Sequence, residues 1–357
     1  VNKQGLIRYV FVNSHTSQGF HTFIPELIQG IGSVYILKGA PGSGKSTFIR
    51  LAGEIMSERG FEVEFWISAL DAITPDGVYI PQLDLAVING SLPESIEPRY
   101  PGVRDQLINM GEYLDRDIVM PHRAEIIKLI DGMNTSRQEV YNLLKEAGQV
   151  KAEIRRLNSR QLNIGKLEIL IQQLGTEILE NRPGEKHYFS GAVTADGLVD
   201  YVNELSSACQ KRYIFQGPSG SGKSTAINEL ARQARTAGYF LEYYHSGLEA
   251  ENLVMVIIRN LQIALIEADG VEIPLKPWDV VVDLSSCLDA DNNSKLNEGT
   301  SIYYRNFESL MLKAQHELEK ANQMNKDLKK IYSSAMDFAG LDQLRTKLLE
   351  EIQNKET

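Results

Sequence analysis

The sequence predicts an α/β protein made of two copies of one domain, each with a parallel sheet and each followed by a long helical region. Three observations predict it. A glycine-rich nonapeptide occurs twice, a constant spacing pairs residues around both copies, and short apolar runs alternate with segments of helical periodicity.

The chain has 357 residues, 43% hydrophobic and 24% charged, which is enough for two domains with separate cores. The 28 glycines and 12 prolines do not indicate long disorder. A formal charge of −10 lacks the electrostatic footprint of a nucleic-acid binder, and a local basic groove is the only route left to such a partner. Cys209 and Cys287 fall in no metal-ligand pattern and suggest no disulfide framework, which points to a reducing, cytoplasmic setting. No apolar run reaches the roughly 18 residues expected of a membrane span. Val1-Asn2-Lys3-Gln4-Gly5 does not read as a signal peptide, and the missing initiator Met suggests that the natural chain starts a few residues earlier. His15, His21, His122, His187, His245 and His316 show no metal-ligand spacing.

The first nonapeptide is Gly39-Ala40-Pro41-Gly42-Ser43-Gly44-Lys45-Ser46-Thr47, and the second is Gly217-Pro218-Ser219-Gly220-Ser221-Gly222-Lys223-Ser224-Thr225. They lie 178 positions apart, and the same ungapped offset pairs Phe11 with Phe189, Gly19 with Gly197, Leu27 with Leu205, Tyr35 with Tyr213, Gly60 with Gly238, Glu64 with Glu242 and Ala86 with Ala264. Unrelated loops would not keep register on both sides, so a tandem duplication is the economical reading.

The elements can be read on both copies together. Tyr9 to Val12 forms a short strand, followed by a Gly-containing turn and a short helix around Phe23 to Ile28. Ser33 to Leu37 is an apolar strand that enters the nonapeptide. Thr47 to Arg59 has helical spacing and stops at Gly60; Glu62 to Ile67 and Leu83 to Ile88 read as further strands. The second copy repeats this order at Tyr213 to Phe215, Thr225 to Thr236, Phe240 to Tyr244 and Leu261 to Ile266. Helical periodicity then fills Arg116 to Glu180 and the stretch from about Tyr303 to the end, where Gly148, Gly165 and Gly340 suggest helical hairpins. Asn181 to Glu185 reads as a linker. The expected organisation is a core over 1–115, a helical region over 116–182, a second core over 183–300 and a C-terminal helical region over 301–357.

Both nonapeptides fit Gly-x4-Gly-Lys-Ser/Thr, the Walker A or P-loop pattern, and each sits between a strand and a helix. The fold class expected is therefore α/β with two tandem P-loop NTPase domains. Such a loop turns backbone N–H groups and a helix N-terminus toward a polyphosphate. Gly39, Gly42, Ser43, Gly44, Lys45, Ser46 and Thr47 would bind the nucleotide in the first copy. Gly217, Gly220, Ser221, Gly222, Lys223, Ser224 and Thr225 would do so in the second. Lys45 and Lys223 would reach the outer phosphates, and Ser46 and Ser224 would supply hydroxyls to Mg²⁺. The implied ligands are ATP, or another NTP, and Mg²⁺.

Phosphoryl transfer also calls for a carboxylate near the metal. The strand ending at Ile88 runs into Asn89, whereas its partner ends in Glu267. Asp71 and Glu249, matched by the offset after the preceding strand, are further candidates, with Asp76, Asp84, Asp105 and Asp283 as alternatives. Because Asn89 carries no charge, the second site is expected to be the more competent in hydrolysis. Arg155-Arg156-Leu157-Asn158-Ser159-Arg160 is a basic cluster, either a solvated helix face, a lid over phosphates or a nucleic-acid contact.

The sequence resembles a bacterial family of tandem P-loop ATPases, sometimes labelled nucleotide kinases. The resemblance covers nearly the whole chain and rests on Arg8-Tyr9-Val10-Phe11, Gly19-Phe20, both loops, Asp76 to Leu83, Pro101-Gly102-Val103, Gly111 to Asp115 and Tyr188-Phe189. Members commonly carry Asp-Gly-Thr-Ala-Pro-His after the fourth strand; this chain has Asn89-Gly90-Ser91-Leu92-Pro93-Glu94 and Glu267-Ala268-Asp269-Gly270 instead. The first loop also looks like that of adenylate-kinase-type enzymes. Three functions are consistent with these residues: an ATPase that moves its helical regions, a small-molecule or nucleotide kinase, and an ATP-controlled interaction module without turnover. In the first and third, the helical regions would meet a protein partner.

Overall fold

The computed structural model describes residues 5–178, 184–268, 273–287 and 293–353. The chain is mixed α/β, with one large sheet and long helices.

The first half contributes β1 (Ile7–Phe11), β2 (Asn13–Thr16), β3 (Gly19–Thr22), α1 (Ile24–Leu27), β4 (Ser33–Lys38), α2 (Lys45–Glu58), β5 (Val63–Ile67), β6 (Pro75–Ile80), β7 (Leu85–Asn89) and β8 (Asp105–Asn109). Its helical region holds α3 (Arg116–Val119), α4 (Arg123–Ser159) and α5 (Ile164–Ile178). The second half repeats the plan as β9 (Gly184–Phe189), β10 (Gly191–Thr194), β11 (Gly197–Asp200), α6 (Val202–Leu205), β12 (Lys211–Gln216), α7 (Lys223–Thr236), β13 (Phe240–His245), β14 (Leu253–Ile258), β15 (Ile263–Glu267) and β16 (Val280–Asp283). It ends in α8 (Asn293–Ser334) and α9 (Phe338–Gln353).

The strands form a single 12-stranded sheet in the order β16-β12-β15-β14-β13-β9-β1-β5-β6-β7-β4-β8. Read outward from the middle, the two halves have the same strand order. They meet where β1 and β9 pair antiparallel at Phe11 and Phe189. Within each half the strands run parallel except for β6 and β14, which are antiparallel to both neighbours. The expected parallel sheets are thus found as one mostly parallel sheet. Pro75 and Gly77 make β6 read as a turn, although Pro at the first position of a strand forfeits little pairing. The short hairpins β2–β3 and β10–β11 form two small sheets of their own.

The cores are not wholly separate: one cluster gathers around α2 and another around α7, and a third spans both halves. This third cluster joins Val10, Val34, Ile36, Trp66 and Ile88 of the first half to Tyr188, Ile214, Tyr244, Met255 and Ile266 of the second. Charge is buried at the same seam. Arg8 donates to Glu64 at 3.2 Å and to Glu242 at 2.9 and 2.7 Å, contacts the Tyr244 hydroxyl, and lies over the Tyr188 ring. Burying a guanidinium is tolerable only with such a full set of partners.

The helices also depart from the expected hairpins. α4 runs through Gly148 without a break, and a Cβ there would lie 2.7 Å from Ser17 Cβ, so the glycine admits the β2–β3 tip. The turns fall at Arg160–Asn163 and Ala335–Asp337, with Asn163 and Asp337 capping α5 and α9 through Lys166 N (3.1 Å) and Gly340 N (3.0 Å). Gly165 and Gly340 lie just inside the helices that follow these turns. These caps lie 174 positions apart, four fewer than the offset of the loops. α4 and α8 pack along each other. Of the expected linker, residues 181–183 lie outside the described residues, while Gly184 and Glu185 belong to β9. Among the described residues no helix is long and apolar enough to cross a membrane.

A buried histidine, His15, and a half-buried one, His245, predict an acid response. Burial lowers His15 from 6.5 to about 4, with Arg137 opposing its charge, and lowers His245 to about 4, with His187 adding to the effect. Between these limits the unfolded chain binds protons that the folded one refuses. Stability should therefore fall as pH drops from about 7 to about 5.5, by up to roughly 1.4 kcal/mol per histidine per unit. Urea denaturation at the two pH values checks this. His245→Asn should flatten the slope; a slope unchanged by the substitution would contradict the assignment.

Candidate functional site

Each nonapeptide folds as a tight loop between a central strand and a helix. Gly42 and Gly44 have φ of +84° and +88°, and Gly220 and Gly222 have +90° and +93°, so the two loops share one backbone path that other residues would strain. Gly44 and Gly222 occupy the N-cap positions of α2 and α7, whose first N–H groups lack side-chain caps. Free N–H groups in such a loop form a concave anion-binding surface.

The lysines follow the same pattern. Lys45 Nζ donates to the carbonyls of Gly39 (2.8 Å) and Ala40 (2.9 Å), and Lys223 Nζ to those of Gly217 (2.8 Å) and Pro218 (3.0 Å). Both are buried. Burial lowers the Lys45 pKa to about 8, with Asp76 opposing the shift and Lys329 adding to it.

At the second loop, Ser224 Oγ donates to Glu267 Oε2 at 3.0 Å, and Lys223 Nζ lies 3.7 Å from Glu267 Oε1. The strand-end glutamate picked out by the sequence thus meets the loop hydroxyl directly. Glu249 reaches the same place by another route: it faces a cavity of about 190 Å³ together with Lys223, Ser224, Thr225, Glu267, Lys151 and Arg155. It accepts two bonds from Arg155, at 2.8 and 2.7 Å, and one from Asn252 at 2.8 Å.

The first loop is built differently. Asn89, where the second half has Glu267, donates to Asp76 Oδ1 at 2.9 Å, and Asn13 donates to Asp76 Oδ2 at 3.1 Å. Asp76 is buried, which raises its pKa despite hydrogen bonds from Asn89, Ser68 and Asn13. At the matching position of the second half stands Val254. A carboxylate has therefore moved one strand over, from the end of the β7/β15 position to β6. Asp76, one of the alternatives read from the sequence, is thus the acid beside the first loop's lysine. Asp71 is not that acid: it caps its own turn through Ile73 N (3.2 Å) and Thr74 Oγ1 (2.8 Å). Asp84 holds Gly32 N at 2.9 Å, Asp105 pairs with Arg104 at 2.6 Å, and Asp283 accepts from Ser285 N at 2.8 Å. Among the described residues, no group of three or more His, Cys, Asp and Glu side chains could hold a metal unaided.

The helical regions cross over. The last turns of α4, from the first half, press on the second loop: a Cβ on Gly220 would lie 2.6 Å from Arg155 O and 2.9 Å from Ser159 N. The end of α8, from the second half, presses on the first loop: a Cβ on Gly42 would lie 2.6 Å from Lys329 O. Beyond the turns, Leu167, Ile171 and Leu174 of α5 bury themselves in the core around α7, and Leu341, Leu348 and Ile352 of α9 in the core around α2. Each such side chain contributes roughly 1.5–3 kcal/mol to its docking. The basic cluster is thus divided. Arg155 enters the second site, while Arg156 stays outside, paired with Glu153 at 2.7 Å. Chain order gave no sign of this crossing.

The chain matches no protein-family model, no curated protein and no solved structure in the comparisons made.

The crowding at Gly220 is testable against a glycine with strain alone. Gly102 has φ +73° and open space around its missing Cβ. Gly102→Ala should cost about 1 kcal/mol, and Gly220→Ala, which adds a clash with α4, roughly 2–4 kcal/mol. Equal losses in thermal unfolding would mean that α4 does not press on the loop.

Proposed function

We propose that the chain is a tandem P-loop protein with two ATP sites that binds ATP with Mg²⁺ and hydrolyses it. The observation that carries this reading is the second loop, where positive-φ glycines, a buried lysine and a serine bonded to a strand-end glutamate converge on one cavity. These are the parts that a polyphosphate and its metal require. The donor set fits the metal as well. Ser224 and Glu267 would hold Mg²⁺ at the second loop, and Ser46 with Asp76 would do so at the first. Bound there, Mg²⁺ would offset negative charge on the outer phosphates.

The chain's own residues have separable roles. The loop N–H groups and Lys223 or Lys45 bind and orient the phosphates. Glu267 and Asp76 fix charge beside the loop. The ends of α4 and α8 cover the loops and limit water. Glu267 touches the loop hydroxyl directly, whereas Asp76 is occupied by Asn13 and Asn89. The second loop is therefore proposed as the faster site and the first as the more regulatory one. One observation supports the kinase alternative: the second cavity extends past the loop to Ser190, Gly191, Leu198 and Asp200, where an acceptor could sit. Burial raises the pKa of Asp200 to about 6.

Equilibrium dialysis with ATP and Mg²⁺ tests binding. Wild type should hold two ATP per chain, Lys45→Ala and Lys223→Ala one each, and the double variant none. Two ATP bound by the double variant would refute the loops as sites. Phosphate release should fall about 10²-fold in Glu267→Gln and less in Asp76→Asn. The reverse order would overturn the ranking of the sites. Transfer to an added nucleoside monophosphate in place of water would select the kinase reading, and binding without turnover the interaction module.

A further inference from the structure

We propose that Arg155, carried by the helical region of the first half, reads the terminal phosphate of a nucleoside triphosphate at the second loop and so separates triphosphate from diphosphate there. This inference rests on the proposed nucleotide site and assigns one of its specificity residues.

Position comes first. The Arg155 carbonyl abuts Gly220, so the residue is fixed against the loop by its backbone and not only by its side chain. Arg155 lines the cavity that also holds Lys223, Ser224 and Glu267, and its guanidinium is held there by Glu249, another lining residue. The loop's own N–H groups are committed to the phosphates that it encircles. A cation from a separate element is left to meet the outermost one, and a guanidinium matches phosphate oxygens two at a time.

The guanidinium is also held ready. Glu249 accepts two bonds from it, and the glutamate in turn is fixed by Asn252 at 2.8 Å, with Lys151 at 3.9 Å. Arg155 is more exposed than its partner, 37% against 13% of the side chain, so the arginine is the member that can swing toward a ligand. Lys151 remains beside Glu249 when it does, which keeps the half-buried carboxylate from being stranded without a counter-charge. A phosphate dianion is a stronger acceptor for a guanidinium than a carboxylate that also accepts from Asn252 and lies near Lys151.

The first half lacks this device. Asp71, matched to Glu249, bonds within its own turn. Lys329, which stands where Arg155 does under the 174-residue offset, brings a positive charge near Lys45 but no planar donor pair. Discrimination between triphosphate and diphosphate is therefore assigned to the second loop.

Calorimetric titrations of the full chain with Mg²⁺ and either a non-hydrolysable ATP analogue or ADP test this, with Lys45→Ala present throughout to silence the first loop. Adding Arg155→Ala should weaken the triphosphate analogue about tenfold or more and ADP less than about twofold. Arg155→Lys should recover part of the difference. Glu249→Gln, which loosens the hold on the guanidinium, should strengthen the triphosphate analogue. Arg156→Ala, outside the site, should leave the ratio unchanged. Thermal melts identify any variant that fails to fold, and Arg155→Gln then replaces Arg155→Ala. An unchanged ratio, or equal losses for both nucleotides, would overturn the role of Arg155 while leaving the site intact. Binding of neither nucleotide by the Lys45→Ala parent and by wild type would instead defeat the nucleotide reading, and this inference with it.

Discussion

At the middle of the sheet, a largely buried guanidinium from one half lies between buried carboxylates of both. Arg8 spans Glu64 on β5 and Glu242 on β13, and Glu242 is held from its far side by Arg259 at 2.7 Å. Such a cluster is costly to bury and stable only when every charge has its partner. It therefore favours one docking of the halves, with β1 against β9 in opposite directions, over looser alternatives. Everything outward follows from that orientation. β4 runs with β1 and β12 with β9, so the loops that follow them leave opposite edges of the sheet.

That constraint explains the long helices. β4 and β12 stand nine places apart in the sheet, about 43 Å at the usual strand spacing, with their loops on opposite edges. An ordinary helix of 10–14 residues cannot reach across. α4, with 37 residues, spans roughly 55 Å, and α8, with 42, roughly 63 Å. Each starts on the side of its own half and ends over the other's loop. Where Leu114 bridges to Met336, the start of one helical region even meets the α8–α9 turn of the other. The packed pair α4 and α8 thereby touches both loops. This is a physical link between two places, and a route by which occupancy of one could bias the other.

The repeat made much of this legible. The ungapped offset located both loops and most parallel strands, because strand length and loop geometry leave no slack there. It also put Glu267 beside its loop. The antiparallel strands were missed for different reasons. Leu253–Ile258 is an unbroken apolar run, a readable signal of a buried strand. β6 begins with Pro75-Asp76-Gly77, which imitates a turn. Asp76 ranked only among the alternatives for that reason: a carboxylate in a turn is ordinary, whereas this one is buried on a strand beside Asn89. Gly148 was taken as a break because periodicity cannot tell a helix-breaking glycine from one that makes room for a neighbour. The crossing was illegible in principle. An apolar stripe on α5 or α9 says that the face is covered, not which half covers it.

The central claim is that each helical region serves the loop of the other half. Hydrogen–deuterium exchange on the Lys223→Ala variant, in which the proposed function leaves only the first loop to fill, tests it most directly. Saturating ATP and Mg²⁺ should slow exchange at the end of α8 and the turn from Ala335 to Asp337, and leave the end of α4 and the turn from Arg160 to Asn163 unchanged. Protection at Arg160 to Asn163 with none at Ala335 to Asp337 would contradict the crossed arrangement.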